Sequence, residues 1–471
     1  MATRRHRCVA SVSSASGPRL SRSPLPNRPL AIALVMATVL IAFETTSLLT
    51  ALPTISDDLR GDSLYGATLS AYTLATMIGL VVSGAAVDRR GPRAPFLTCV
   101  AVFVIGLVMS SLAPSMPLVL VGRVVQGLGG GGLAPISFVV ISRVWTSDRQ
   151  STLFAAISAG WVLPSLVAPG LAGWVTHHFG WRWVFVGIVP LALVVGALGA
   201  VTMRHIPAHP AEHREPTRIG AAVALALGIG AFVAGVQSSQ PVPAVALVLL
   251  GTGAGAYGYS RLMPDGTWRA ARGLPAIVVC RTIAMAAFLG ADSFIPLAAD
   301  RIHGSSPTVQ GFVIIGAALS WSLGSAIQSR RRDLDVRRAV RSGFALVVLG
   351  VIAVMPTLNG DWSLVATFGA WCIAGLGMGL LFVPTSVSAM AYAEPGSEGR
   401  VGSQINLADS IGFAVMGGLG GATVAVSDRT SWPLTHALFT NFAAASVLAA
   451  AGAVIAGRVV TRKAHASSGA S

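Results

Sequence analysis

Five ionisable side chains lie inside long, otherwise uncharged apolar runs: Glu44, Asp292, Asp409, Arg123 and Arg281. A charge near the centre of a bilayer-spanning helix costs roughly 2.5–3.5 kcal/mol on insertion scales, so such a group faces a partner or a cavity. A carboxylate there can gain and lose a proton, whereas a guanidinium stays charged. An acid and an arginine at matching depth therefore form a place where one proton changes the charge of a cavity. By helical rise, Arg123 lies roughly 10 Å and Glu44 roughly 14 Å from the same end of their runs, a gap that an arginine side chain spans. Asp292 lies roughly 8 Å from the end of its run with no partner evident at its depth. Arg281 and Asp409 lie at like depth in two other runs, which leaves open an ion pair between spans or a second titrating site.

The elements that must position these groups follow from composition. With 53% hydrophobic residues, 11% charged and a mean hydropathy of +0.71, the 471-residue chain belongs to the all-α polytopic membrane class. About 20 apolar residues cross the hydrocarbon. That rule gives fourteen spans, at 31–53, 65–87, 95–113, 117–141, 152–176, 182–202, 218–237, 243–260, 275–297, 307–327, 339–357, 362–384, 403–426 and 435–457. With the amino terminus in the cytoplasm, 27 of the 33 Lys and Arg residues fall in the even-numbered loops and the two tails. Arg60, Arg182, Arg301 and Arg429 alone occupy outer loops. The net charge of +15 is thus a topology signal, with both termini cytoplasmic, and needs no nucleic acid. The four cysteines are scattered and offer neither a disulfide framework nor a metal site.

An internal repeat organises the spans. Glu44 and Asp292 are 248 positions apart, each upstream of a Leu-Pro or Ile-Pro step. Gly127-Leu128-Gly129 recurs at the same offset as Gly375-Leu376-Gly377, and Pro169-Gly170-Leu171-Ala172-Gly173 recurs as Gly417-Gly418-Leu419-Gly420-Gly421. Three coincident offsets imply two parallel six-helix bundles with an inserted helix pair between them, an architecture that places a substrate site between halves near the midplane. The expected units are a flexible basic tail over 1–30, a first bundle over 31–202, the inserted pair with its loops over 203–273, a second bundle over 274–457, and a tail over 458–471.

Gly84 to Phe96 reads GAAVDRRGPRAPF. It resembles the cytoplasmic loop motif of the major facilitator superfamily, with Gly84, Asp88, Arg89, Gly91 and Arg93 in matching places. In the second half Gln328 stands where the acid would be. Arg123 to Gly132 contains a literal GxGxxG, but no strand precedes it, so a nucleotide loop is excluded; Arg123, Gln126 and Gly127 are similar to the fourth-span pattern of that superfamily. Gly160 to Trp174, with Pro164, Pro169, Gly170 and Gly173, resembles the antiporter motif of its exporters. FETTSLLTALP (Phe43–Pro53) and Trp181–Pro190 resemble the fourteen-span drug:proton antiporter family, with Glu44 in place of the usual Asp and Leu49 where Asn is usual.

The resemblance implies a fold of two six-helix bundles plus two inserted helices, and export of small, partly apolar compounds against protons. Glu44, Arg123 and provisionally Asp292 would couple to protons or substrate. Gly84, Asp88, Arg89, Gly91 and Arg93 would form a cytoplasmic gate, and Gln126, Gly127 and the Pro/Gly face of the fifth span would serve helix packing. A cell-membrane monomer without cofactor is expected. His205, His209 and His213 are spaced by four, but Pro207 and Pro210 break the helix that would align them on a metal. No nucleophile–base pair or Walker loop is present, which argues against an enzyme or an ATP-driven pump. Two other readings stay open: export of an endogenous metabolite, siderophore or antibiotic, and a non-transporting sensor on the same scaffold.

Overall fold

The computed structural model describes residues 28–61, 64–207, 218–330 and 335–460. Most of the expected basic tail, the end of the chain, and His209 and His213 lie outside the described residues. His205 is held by Arg204, whose Nε donates to His205 Nε2 at 2.8 Å.

Among the described residues, fourteen stretches are long and apolar enough to span a membrane. In the first half these are α1 (Arg28–Leu59), α2 (Tyr65–Arg90), α3 (Arg93–Ser111), α4 (Met116–Val144), α5 (Ser147–Ala159) with α6 (Val162–Phe179), and α7 (Arg182–Thr202). The inserted pair is α8 (Ile219–Gln237) and α9 (Pro241–Leu262). The second half comprises α10 (Leu274–Asp292) with α11 (Ile295–Arg301), α12 (Pro307–Arg330), α13 (Val336–Val354), α14 (Leu364–Met390), α15 (Glu398–Arg429) and α16 (Leu434–Ile455).

Two spans expected to be continuous are broken, each at a proline. Pro164 cannot donate to the Gly160 carbonyl one turn back, and α5 gives way to α6 around Gly160 and Trp161. Pro296 likewise has no N–H for the Asp292 carbonyl, so α10 ends at Asp292.

The repeat is visible in the packing. In each half the fourth helix, α4 or α14, is the central one, packed between the second and third. A Cβ on Gly127 would lie 2.4 Å from the Tyr72 carbonyl of α2, and one on Gly375 would lie 2.3 Å from the Ala317 carbonyl of α12. On the opposite face, Gly129 and Gly377 approach α3 and α13 as closely. Without hydrophobic drive between helices in lipid, such glycines permit the backbone contact that joins them.

The two halves meet where α2 and α4 end and α15 begins, hereafter the Asp88 end. Gly84 and Gly399 pack backbone to backbone, so that a Cβ on Gly399 would lie 2.1 Å from the Gly84 carbonyl. Ser151 of α5 also donates to the Ser329 carbonyl of α12 at 3.4 Å.

Candidate functional site

Glu44 is the seventeenth residue of α1 and is 1% exposed. Arg123, 2% exposed, reaches it from α4 and donates through Nη1 to both Glu44 Oε1 and Gln126 Oε1. Gln126 Nε2 passes the network on to Ser110 Oγ of α3 at 3.2 Å, and the guanidinium lies 4.2 Å from the Tyr72 ring centroid. The expected acid–arginine pair is therefore formed, and its network draws on four helices of the first half, α1 to α4. Tyr72 and Ser110 escaped sequence reading because nothing in their local spacing marks them. The pair is incompletely satisfied, since Arg123 Nε has no partner among the described residues.

Asp292 is not alone. Trp371 Nε1 donates to Asp292 Oδ1 at 2.7 Å, which corrects the expectation that this acid lacks a partner. The signal was present in the sequence: Trp371 stands 248 positions after Arg123, as Asp292 does after Glu44. Trp371 is fully buried and stacks on Phe288 with centroids 4.8 Å apart. Trp321 continues the aromatic cluster edge-on to Phe288 at 5.3 Å and to Phe382 at 5.7 Å.

Arg281 and Asp409 form the ion pair that their depths allowed. Arg281 Nε donates to Asp409 Oδ1 at 2.8 Å and Nη2 donates to Oδ2. Nη1 donates to Ser386 Oγ at 3.0 Å and the Phe382 carbonyl at 3.3 Å, and the Phe382 ring lies 3.9 Å from the guanidinium carbon. This bidentate geometry fixes both partners much more completely than Arg123 is fixed.

At the Asp88 end, Asp88 caps a helix of the other half. Its Oδ1 accepts from Gly399 N at 2.7 Å and its Oδ2 from Arg400 N at 2.9 Å, satisfying first-turn donors of α15 and facing that helix's positive end. Arg89 and Arg93, expected beside Asp88, are exposed. Arg143 of α4 also reaches Asp88, 3.7 Å away, and donates to Glu398 at 2.8 Å. Gly91, at φ 75°, makes the tight turn. Gln328, at the corresponding place in the second half, is buried.

The fifth-span motif packs through fewer residues than expected. Pro164, Ala168 and Ala172, spaced by four, form the buried face of α6, which lies against α1. Pro169 and Gly170 face outward, and Gly173 touches α1 only at Thr50, where a Cβ would lie 3.8 Å from Cγ2. At the far end of α1, Trp181 Nε1 donates to Asp58 at 2.9 Å, tying α7 to α1. No group of metal-binding side chains occurs among the described residues.

A family model described as Major Facilitator Superfamily matches residues 34–417. The chain belongs to that superfamily. Its fourteen spans fit the fourteen-span drug:proton antiporter family, and its members are transporters rather than enzymes. The chain is 24% identical over 456 residues to a probable multidrug-efflux transporter of Mycobacterium tuberculosis, covering 91% of this chain and 94% of that one. It is 26% identical over 367 residues, 74% of this chain and 67% of the relative, to a multidrug resistance protein B homolog of the same species. The fold resembles that of the human organic anion transporter MFSD10, at a TM-score of 0.71 and 15% identity over 92% of this chain and all of that one. The proton:xylose symporter XylE aligns at a TM-score of 0.64 and 12% identity, covering 91% and 94%.

Proposed function

We propose that this multi-pass membrane protein is a proton-coupled antiporter that exports small, partly apolar compounds by alternating access. The observation that carries this reading is the buried Glu44–Arg123 pair with its orphaned Arg123 Nε. A buried ion pair stands only while both charges are present, and neutralising one partner leaves the other uncompensated. Protonation of Glu44 removes the counter-charge of Arg123 and leaves it held by Gln126 and the Tyr72 ring alone, and this re-sorting in the first half is the step through which proton binding is felt. Asp292, whose donor Trp371 brings no charge, is the corresponding acid of the second half and serves as a second proton or substrate contact.

The Asp88 end is assigned to the cytoplasm, with both termini on that side, and the protein acts as a monomer. In the conformation described, Asp88 and Glu398 hold that end closed through α15 and Arg143. The working units are the bundles over 31–202 and 274–457, with the inserted pair between them. Relatives named as a probable multidrug-efflux transporter and as a multidrug resistance protein B homolog support export of drug-like compounds.

The deciding experiment uses proteoliposomes and a panel of drug-like compounds. Glu44→Gln is expected to abolish flux driven by a pH gradient; undiminished gradient-driven flux in that variant sinks the assignment. Flux that an uncoupler leaves untouched in the unmodified protein has the same consequence.

A further inference from the structure

The inserted pair touches both halves, but by different chemistry. Toward the second half it is hydrogen-bonded at both ends. At the Asp88 end, Gln404 Nε2 of α15 donates to the Leu262 carbonyl of α9 at 2.8 Å. At the far end, Arg429 Nη2 donates to the Gln237 carbonyl of α8 at 3.1 Å, and Gln237 Nε2 lies 3.5 Å from the Gly418 carbonyl. Between these points Val233 sits on Gly418, where a Cβ would lie 2.5 Å from Val233 Cγ2.

Toward the first half the contact is of another kind. Leu74 of α2 lies over Gly230 of α8, where a Cβ would lie 2.8 Å from Leu74 Cδ1. From Ile219 to Val236, α8 carries no side chain with a hydrogen-bonding group, and Gln237 is committed to α15. An apolar contact over bare backbone has no directional bond to break when one surface shifts along the other.

We infer that the inserted pair travels with the second half as one body and that the Leu74–Gly230 contact is the surface on which the first half slides. The α2–α15 seam is thereby covered by a helix hydrogen-bonded to one wall and greased against the other. The halves can change their angle without opening that seam to the bilayer. This inference rests on the alternating-access part of the proposed function and is independent of proton coupling and of the substrate.

The test needs no substrate. Spin labels are placed in detergent-solubilised full-length protein at Leu112 of the first half, Leu250 of the inserted pair and Val365 of the second half, all well exposed. Distances are measured pairwise, in the parent and after opening the Asp88 end with Asp88→Asn together with Glu398→Gln. The expected result is a shift of several Å in Leu112–Val365 and in Leu112–Leu250, with Leu250–Val365 unchanged. A shift in Leu250–Val365, alone or with the others, overturns the inference while leaving alternating access intact. If the double variant folds poorly, the same three distances are compared between acidic and alkaline buffer. No shift in any pair under either regime overturns the picture of two moving halves, and this inference with it.

Discussion

Trp371 stands 79 residues after Asp292 and donates to it, as Arg123 stands 79 residues after Glu44 and donates to it. The same two helix positions in each half thus carry an acid and its donor, and the halves differ in whether that donor is charged. Replacing the cation by an indole leaves the second acid hydrogen-bonded but without a counter-charge from its donor. At this pair of positions the two halves are electrically unlike.

Removing the indole N–H while keeping the ring tests this bond. Trp371→Phe retains the stack on Phe288 but leaves Asp292 without its donor, at an expected cost of about 1–3 kcal/mol in stability. Adding Asp292→Asn is expected to recover part of that loss. Unfolding in detergent reads both, and a Trp371→Phe protein as stable as its parent contradicts the bond.

Arg123 and Glu44 separate folding from coupling. Arg123→Met strands a buried carboxylate and is expected to destabilise by about 3–5 kcal/mol. The double variant with Glu44→Gln removes both charges and recovers most of the stability, but not the flux driven by a pH gradient. Restored gradient-driven flux in the double variant would show that the pair only holds helices together.

The second ion pair should behave in the opposite way. Because Arg281 is held by Asp409, Ser386 and the Phe382 carbonyl together, Arg281→Met alone is expected to cost about 3–5 kcal/mol as well. Pairing it with Asp409→Leu should recover stability and keep gradient-driven flux. Loss of coupling in a well-folded double variant would move Asp409 into the proton pathway.

Asp88 caps α15 across the interface, so its charge bears on the equilibrium between conformations. Asp88→Asn weakens two charge-assisted hydrogen bonds, and a loss of about 1.4 kcal/mol corresponds to roughly a tenfold shift in population. A cysteine at Ser403, buried at 5% exposure beside Gly84, should then react faster with a polar maleimide. Equal labelling rates would remove Asp88 from the latch.

Much of the architecture was legible because lipid leaves few choices. Apolar length gave every span, and the repeat gave the correspondence between Gly127 and Gly375 that the close helix contacts repeat. The Glu44–Arg123 pair was legible because a charge in an apolar run is costly and only one cation lay at the right depth. Trp371 was missed because reading was confined to charges, although an indole N–H also satisfies a carboxylate. Arg143 was missed for a different reason. It lies at a helix end among ordinary topology-setting arginines, and only the fold shows that it faces Asp88 and Glu398. The fifth-span motif misled in detail, since which of its prolines and glycines face inward depends on where Pro164 breaks the helix.

The two inserted helices also have a consequence for biogenesis. Six spans bring the chain back to the side from which it started, and a single extra helix would have delivered the second bundle upside down. A hairpin restores the polarity, so α10 enters the bilayer in the same direction as α1. The halves could therefore acquire α8 and α9 between them without re-engineering any charge at the ends of the helices that follow. The hairpin's Gly228, Gly251 and Gly258 let its two helices close on each other without help from the second bundle, which follows them in the chain.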